Sequence, residues 1–288
     1  MLAVPRTDGD GALPSLIRLR VLSLGAGVQS TTLALMAAHG EIGPMPDCAI
    51  FADTGWEPKA VYDHLAWLMS PNVLPFKVHI VSAGNIRENL IQAASGERWA
   101  SVPAFTRTVR RGGRVDIGMI RRQCTTEYKI VPIRRKVREL AGLTRKRSPK
   151  TPVVEQWIGI STDEVVRMKL SFQGWQVNRW PLVEQRMSRQ DCLIWLRRHD
   201  YPIPPKSSCV GCPFHSDAMW RQIRDTDPEA WADVVGLDRS IRTGLRGIRG
   251  EVFLHRSTVP LDEADLSTAA DRGQLDLFVN ECSGMCGL

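Results

Sequence analysis

Seven cysteines punctuate this 288-residue chain, and five of them fall in groups whose residue types could bind a metal centre. Cys209-Val-Gly-Cys212 is a CxxC in a proline-flanked loop, Cys124 stands upstream in Arg122-Gln-Cys124-Thr125, and the tail carries Cys282 and Cys286 in Glu281-Cys-Ser-Gly-Met-Cys286. Thiolates grouped in this way suit an iron-sulfur cluster or zinc, with His215 a further candidate although a histidine at a helix start is more often exposed. The other two, Cys48 and Cys192, sit in apolar runs and read as buried packing residues. Near the other end, Ser23-Leu-Gly25-Ala26-Gly27-Val-Gln29-Ser30-Thr31 closes one apolar run and opens another. Successive backbone amides in such a turn converge with a helix N-terminus on phosphate oxygens. The turn is neither the dinucleotide GxGxxG nor a Walker loop, which needs a lysine before its Ser/Thr. A metal centre and a nucleotide site in one chain point to an enzyme.

These residues need a scaffold, and the hydrophobic pattern supplies one. Residues 17–24 read as a strand ahead of the glycine turn, followed by a helix from Ser30 to His39. Asp47 to Phe51 is a second strand, Asp53 to Pro58 a turn, and Val61, Leu65 and Leu68 lie on one face of the helix after it. A strand over 76–81 and a helix over 86–94 repeat the unit. Residues 96–122 read as an irregular basic insertion or lid, 124–140 as helix and 153–160 as another inner strand. The expected fold is therefore α/β: a Rossmann-like parallel sheet flanked by helices, with ligands at the carboxyl ends of the strands and a C-terminal cysteine-bearing helical extension. The expected division is an N-terminal tail (1–16), a nucleotide-binding domain (17–178) and a metal-cluster segment with its tail (179–288).

Composition narrows the function classes. The hydrophobic fraction of 43% and charged fraction of 24% are those of a globular protein. No segment reaches the ~18 uninterrupted apolar residues of a membrane span. Met1 to Pro14 lacks the layout of a signal peptide, so a cytoplasmic, reducing location and free thiols are expected. The net charge of +7 suits an anionic partner, either a nucleic acid or a polyanionic nucleotide. Its excess is concentrated in residues 107–114, 145–150 and 239–249, read as solvated loops or as a nucleic-acid contact. Trp99, Trp175 and Trp180 could stack on bases, although most of the nine tryptophans are expected to pack internally.

Taken in order, several segments resemble the adenine-nucleotide alpha-hydrolase (PP-loop) superfamily. The turn at Gly25 is similar to its SGGxDS loop, and Phe51-Ala-Asp53-Thr54-Gly55-Trp-Glu-Pro58 to the DTGxxFPET of the branch containing phosphoadenylylsulfate (PAPS) reductases. Cys124-Thr-Thr-Glu-Tyr-Lys129-Ile-Val-Pro132 resembles the CCxxxKxxP of that branch and, more closely, the CTxxLKxxP of DNA phosphorothioation sulfurtransferases. Gly159-Ile-Ser-Thr-Asp-Glu-Val-Val-Arg167 resembles GxRxDES. Two departures stand out: Gln29 replaces the loop aspartate, and Ser161 and Thr162 replace the arginines of sulfate-reducing members.

The resemblance implies that Ser23, Gly25, Ala26, Gly27, Gln29, Ser30 and Thr31 hold a nucleotide together with Asp53, Thr54, Gly55, Lys129 and Arg167. Lys129 would neutralise phosphate, and Asp53 would hold Mg2+ or the ribose. It also implies a 4Fe-4S cluster on Cys124, Cys209 and Cys212, with Cys282 or Cys286 as fourth ligand, while a tail cysteine that follows glutamate would act as nucleophile. Zinc shares the spacing and stays open as an alternative. The expected activity is ATP-dependent sulfur transfer to a nucleic-acid or nucleotide acceptor, drawing on a sulfur donor such as a cysteine desulfurase. The alternatives are a PAPS or APS reductase served by a thioredoxin-like thiol, and a non-catalytic nucleotide or nucleic-acid binder with a structural metal.

Overall fold

The computed structural model describes residues 17–268, Asp271 and Gly273. Cys282 and Cys286 lie outside the described residues. Three βα units open the chain: β1 (Leu19–Leu24) and α1 (Val28–Ala38), β2 (Cys48–Asp53) and α2 (Lys59–Leu68), β3 (Lys77–Ser82) and α3 (Ile86–Ala94). An antiparallel hairpin, β4 (Phe105–Val109) and β5 (Val115–Met119), follows. A π-helical turn over Thr125–Ile130 then runs into α4 (Val131–Leu140). The chain returns to the sheet as β6 (Val154–Ile158) and β7 (Gln176–Arg179). After that come α5 (Pro181–Glu184), α6 (Arg189–Arg198), α7 (Asp217–Thr226), α8 (Pro228–Ser240) and the short strand β8 (Glu251–Phe253).

The main sheet has the order β3-β2-β1-β6-β7 with every pair parallel, which makes the fold α/β and Rossmann-like. Side-chain alternation explains its two covered faces. Leu22 and Leu24 of β1 with Ala49 and Phe51 of β2 pack on α1, α2 and α6. Their neighbours Val21, Cys48, Ile50 and Ala52 pack on Ile133 and Val137 of α4. Cys48 and Cys192 are buried as expected, and burial pushes their thiols up to about 11 and about 12, so both stay protonated packing groups.

Two sequence expectations change. Residues 96–122 are not irregular: Phe105-Thr-Arg-Thr-Val109 and Val115-Asp-Ile-Gly-Met119 alternate with period two about a Gly112-Gly113 turn, where both glycines have positive φ. The C-terminal segment keeps the expected helices, α5 to α8, but also carries a strand. Its β8 pairs with β4, and α7 and α8 share a second core with Ile86, Leu90, Val102 and Tyr128. Residues from both sides of position 178 share this core.

One buried contact behind the nucleotide turn has a pH consequence. His64 of α2 meets the Thr31 hydroxyl at 3.0 Å, and burial lowers its pKa from 6.5 to about 4. An unfolded chain binds this proton near pH 6.5 and the folded chain does not until about pH 4, so stability falls as pH drops through that window. Urea midpoints at pH 7.5 and pH 5 should therefore converge in a His64→Gln variant relative to the parent. An unchanged gap between the two midpoints would refute the assignment.

Candidate nucleotide cleft and cysteine chamber

Strand order reverses between β1 and β6, and a cleft opens there at their carboxyl ends, the place where open α/β sheets bind ligands. The glycine turn forms one wall. Ala26 adopts φ +53 and is buried, and Gly27 caps α1 with no side-chain acceptor, which leaves first-turn amides for a bound anion. Gly25 N donates to Ser30 Oγ at 3.1 Å. The hydroxyl in turn donates to Gly27 O at 3.3 Å and stiffens the loop. Opposite, Gly159 presses on the turn so closely that a β-carbon there would lie 3.0 Å from Ser30 N and Cα.

Charge in the cleft has one dominant sign. Lys129, Arg167, Arg189 and Lys206 line it, against the single carboxylate of Glu164. Glu164 is already paired with Arg167 and accepts from Gln29 Nε2 at 3.3 Å. Such a surplus of cations around free amides favours a polyphosphate-type anion. Of the residues expected at the nucleotide, Ser23, Gly25, Gly27, Gln29, Ser30, Lys129 and Arg167 line this cleft.

Five of the expected residues do not line this cleft. Ala26 supplies the bend, and Thr31 is turned inward onto His64. Asp53 Oδ1 accepts from Gly55 N and Tyr62 Oη, both at 2.8 Å, and fixes the turn after β2. Gly55 takes φ +72 against Asn85, where a β-carbon would sit 3.0 Å from the Asn85 backbone. Thr54 faces the cysteines: its hydroxyl lies 3.3 Å from Cys209 Sγ and donates to Glu57 Oε1 at 3.1 Å. Within this turn, Thr54 and Trp56 line the cysteine chamber.

Cys124, Cys209 and Cys212 line one apolar chamber closed by Trp56 and Phe214. The CxxC loop is held by backbone contacts. Val210 N donates to Trp56 O at 2.9 Å, and a β-carbon on Gly211 would meet the Trp56 ring at 2.0 Å. His215 is buried, contrary to the exposed position expected. Its Nε2 sits 3.0 Å from Cys209 O and 3.1 Å from Val210 O, so the ring donates to the loop carbonyls. Burial, aided by Lys206, lowers its pKa to about 4 and keeps it neutral. Beside the thiols lies Glu57, whose Oε2 is buried with no hydrogen-bond partner and whose Oε1 is 3.8 Å from Cys209 Sγ. Three thiols share this apolar chamber with Glu57 beside Cys209, and sulfur ligands of this kind suit an iron-sulfur centre or zinc.

Lys129 lines both spaces. Its Nζ lies 3.9 Å from Glu57 Oε1, placing one ammonium group between the glycine-turn cleft and the thiols. Glu57, Arg189 and Lys206 were not among the residues expected from sequence. Glu57 stands inside the motif quoted above and could have been found there. The other two reach the cleft only because the C-terminal segment folds back across it.

The basic clusters are partly neutralised. Arg110 and Arg114 both pair with Asp116, Arg107 pairs with Glu251, and Arg239 and Arg242 pair with Asp262 and Asp238. Exposed Trp99 lies under Arg246 at 5.0 Å, whereas Trp175 is buried. Remote from the cysteines, His39, Glu41 and His199 bring their ligand atoms within 4.8 Å of one another on the surface. No helix among the described residues is long and apolar enough to cross a membrane. Neither a family model nor a curated protein sequence matches the chain.

Proposed function

We propose that this chain is an adenine-nucleotide enzyme of the PP-loop kind, akin to the PAPS reductases and DNA phosphorothioation sulfurtransferases, which uses ATP to activate an acceptor for sulfur transfer. The observation that carries the reading is Lys129, shared by a cationic, amide-lined cleft and a three-cysteine chamber. Turn amides and the cations of the cleft would hold the phosphates. An acceptor oxygen attacks the α-phosphorus and pyrophosphate leaves; sulfur at the sulfide level then displaces AMP, which departs with that oxygen. Nothing is oxidised or reduced in this sequence. Positioning and charge neutralisation by Lys129, Arg167, Arg189 and Lys206 supply the catalysis.

Cys124, Cys209 and Cys212 would hold a 4Fe-4S cluster, with a fourth ligand drawn from the tail or from outside the chain. When bound, such a cluster supplies a site for sulfide. Glu57 would balance its charge, and the apolar walls would exclude water. One observation favours a second reading, thiol-dependent reduction of PAPS to sulfite: Gln29 stands where pyrophosphate-cleaving members have aspartate, and its amide is engaged by Glu164.

Serine substitution tests the metal assignment. Replacing Cys124, Cys209 or Cys212 singly should remove the bound iron and the brown colour of anaerobically purified protein while ATP binding is retained. Colourless wild-type protein carrying one equivalent of zinc would contradict the cluster.

A further inference from the structure

On the α4 side of the sheet, a second cavity adjoins the cleft and shares Ile133, Ile158, Ile160 and Arg167 with it. It is as large as the cleft, about 160 against about 150 Å³. Its floor is a row of amides. Gln156 Nε2 donates to Ser23 Oγ at 2.5 Å, Gln176 Nε2 donates to Gln156 Oε1 at 2.6 Å and to Asn178 Oδ1 at 3.0 Å, and Asn178 Nδ2 donates to Lys169 O at 2.9 Å. Ser23 belongs to the cleft, so the row runs from one space into the other.

Hydrogen-bond accounting shows what this floor offers a ligand. Both amide hydrogens of Gln176 are engaged by protein oxygens, which leaves its carbonyl oxygen as an acceptor. Trp180 also lines the cavity, and its Nε1–H is buried with no hydrogen-bond partner. An unpaired buried donor is costly and calls for an acceptor from a ligand. One donor and one acceptor lining the same cavity are the two kinds of group that the edge of a nucleobase also presents. Above the floor, Phe172 is 92% exposed and Leu170 79% exposed, an aromatic and an aliphatic surface held in solvent at the rim. Arg134 and Lys169 add positive charge at the same rim.

We infer that this cavity is the acceptor subsite and takes an unpaired nucleobase with its phosphate, the base on the Gln176–Trp180 floor under Phe172 and the phosphate on Arg134 or Lys169. The inference rests on the proposed sulfur transfer only for the word acceptor; base binding itself does not. Stacking on an aromatic ring with a cationic rim is the chemistry by which proteins hold single strands. The same chemistry is available from a single-stranded chain or from a free mononucleotide, and the experiment separates the two.

Fluorescence anisotropy of a labelled 12-nucleotide single-stranded DNA of mixed sequence, at one fixed salt concentration, provides the test, with unlabelled mononucleotides as competitors. Phe172→Ala alters an exposed ring and should leave the melting temperature unchanged while weakening binding on the order of 10-fold. Trp180→Phe keeps a ring but removes the donor and should weaken binding several-fold. Competition by mononucleotides at concentrations near the oligonucleotide's own, lost in both variants, would identify a free nucleotide as the source. Failure of mononucleotides to compete would identify the strand. Wild-type affinity in both variants would overturn the subsite. ATP binding to the cleft is measured separately, so its absence would undo the sulfur-transfer reading without touching the base-binding result.

Discussion

Lys129→Met is expected to uncouple the two halves of the site and to cost the protein both stability and nucleotide affinity. The Glu57 side chain is only 1% exposed, and Lys129 Nζ lies 3.9 Å from its Oε1. Removing one member of a buried pair leaves the other charge uncompensated, a penalty of about 3 kcal/mol. The same ammonium lines the phosphate cleft. Losing a hydrogen bond to a charged group there should weaken ATP binding by about 10- to 100-fold. The two losses separate in the double variant Lys129→Met with Glu57→Gln. Neutralising Glu57 should restore most of the urea midpoint, but ATP affinity should stay low. Recovery of both, or ATP binding unaffected by Lys129→Met alone, would show that Lys129 serves only the fold.

Gly211→Ala is the other change with a large expected effect. A β-carbon at this position would lie 2.0 Å from one Trp56 ring atom and 2.3 Å from another. No neighbouring atom can accept such an approach, so either the indole or the CxxC loop must move. Trp56 is anchored by Nε1 donating to Asp233 at 3.0 Å and by its carbonyl accepting from Val210 at 2.9 Å. The loop therefore gives way, carrying Cys209 and Cys212 out of register with Cys124. Overpacking of this sort costs about 1–3 kcal/mol. Bound metal should fall well below stoichiometric while circular dichroism and ATP affinity stay close to the parent. The double variant Gly211→Ala with Trp56→Leu opens room for the added methyl and should recover metal. Full metal content in Gly211→Ala alone would mean that the loop tolerates the shift and that the chamber is looser than its contacts indicate.

The parts of this protein that local pattern determines were legible in its sequence. Leu19 to Ser30 reads as strand, glycine turn and helix because its apolar period changes from two to 3.6 across Gly25 and Gly27. The CxxC was legible from its spacing and its link to Cys124 only from the family resemblance, and the chamber lining includes all three. Long-range placement was not legible. Arg189 and Lys206 enter the cleft from a segment distant in sequence, and β8 is a three-residue strand that exists only because β4 offers it an edge. The hairpin was hidden by the cluster of Arg110, Arg111 and Arg114 around its turn, whose charge reads as a solvated loop until Asp116 is seen paired with Arg110 and Arg114. Gln156, Gln176 and Asn178 are unremarkable in sequence and form a row only once β6 and β7 pair in parallel. The contact from Tyr62, one helical turn into α2, to the Asp53 carboxylate was not legible either, because it depends on how α2 packs back on the turn.

The most direct measurement is product identification with anaerobically purified, iron-loaded full-length protein. ATP and PAPS would be offered in separate reactions, the first with sulfide and single-stranded DNA and the second with a thiol reductant, and the nucleotides separated by chromatography. The proposed sulfur transfer predicts AMP and pyrophosphate from ATP, in amounts that rise with the strand and collapse in Lys129→Met. Adenosine 3′,5′-bisphosphate with sulfite from PAPS, and ATP left intact, would contradict it.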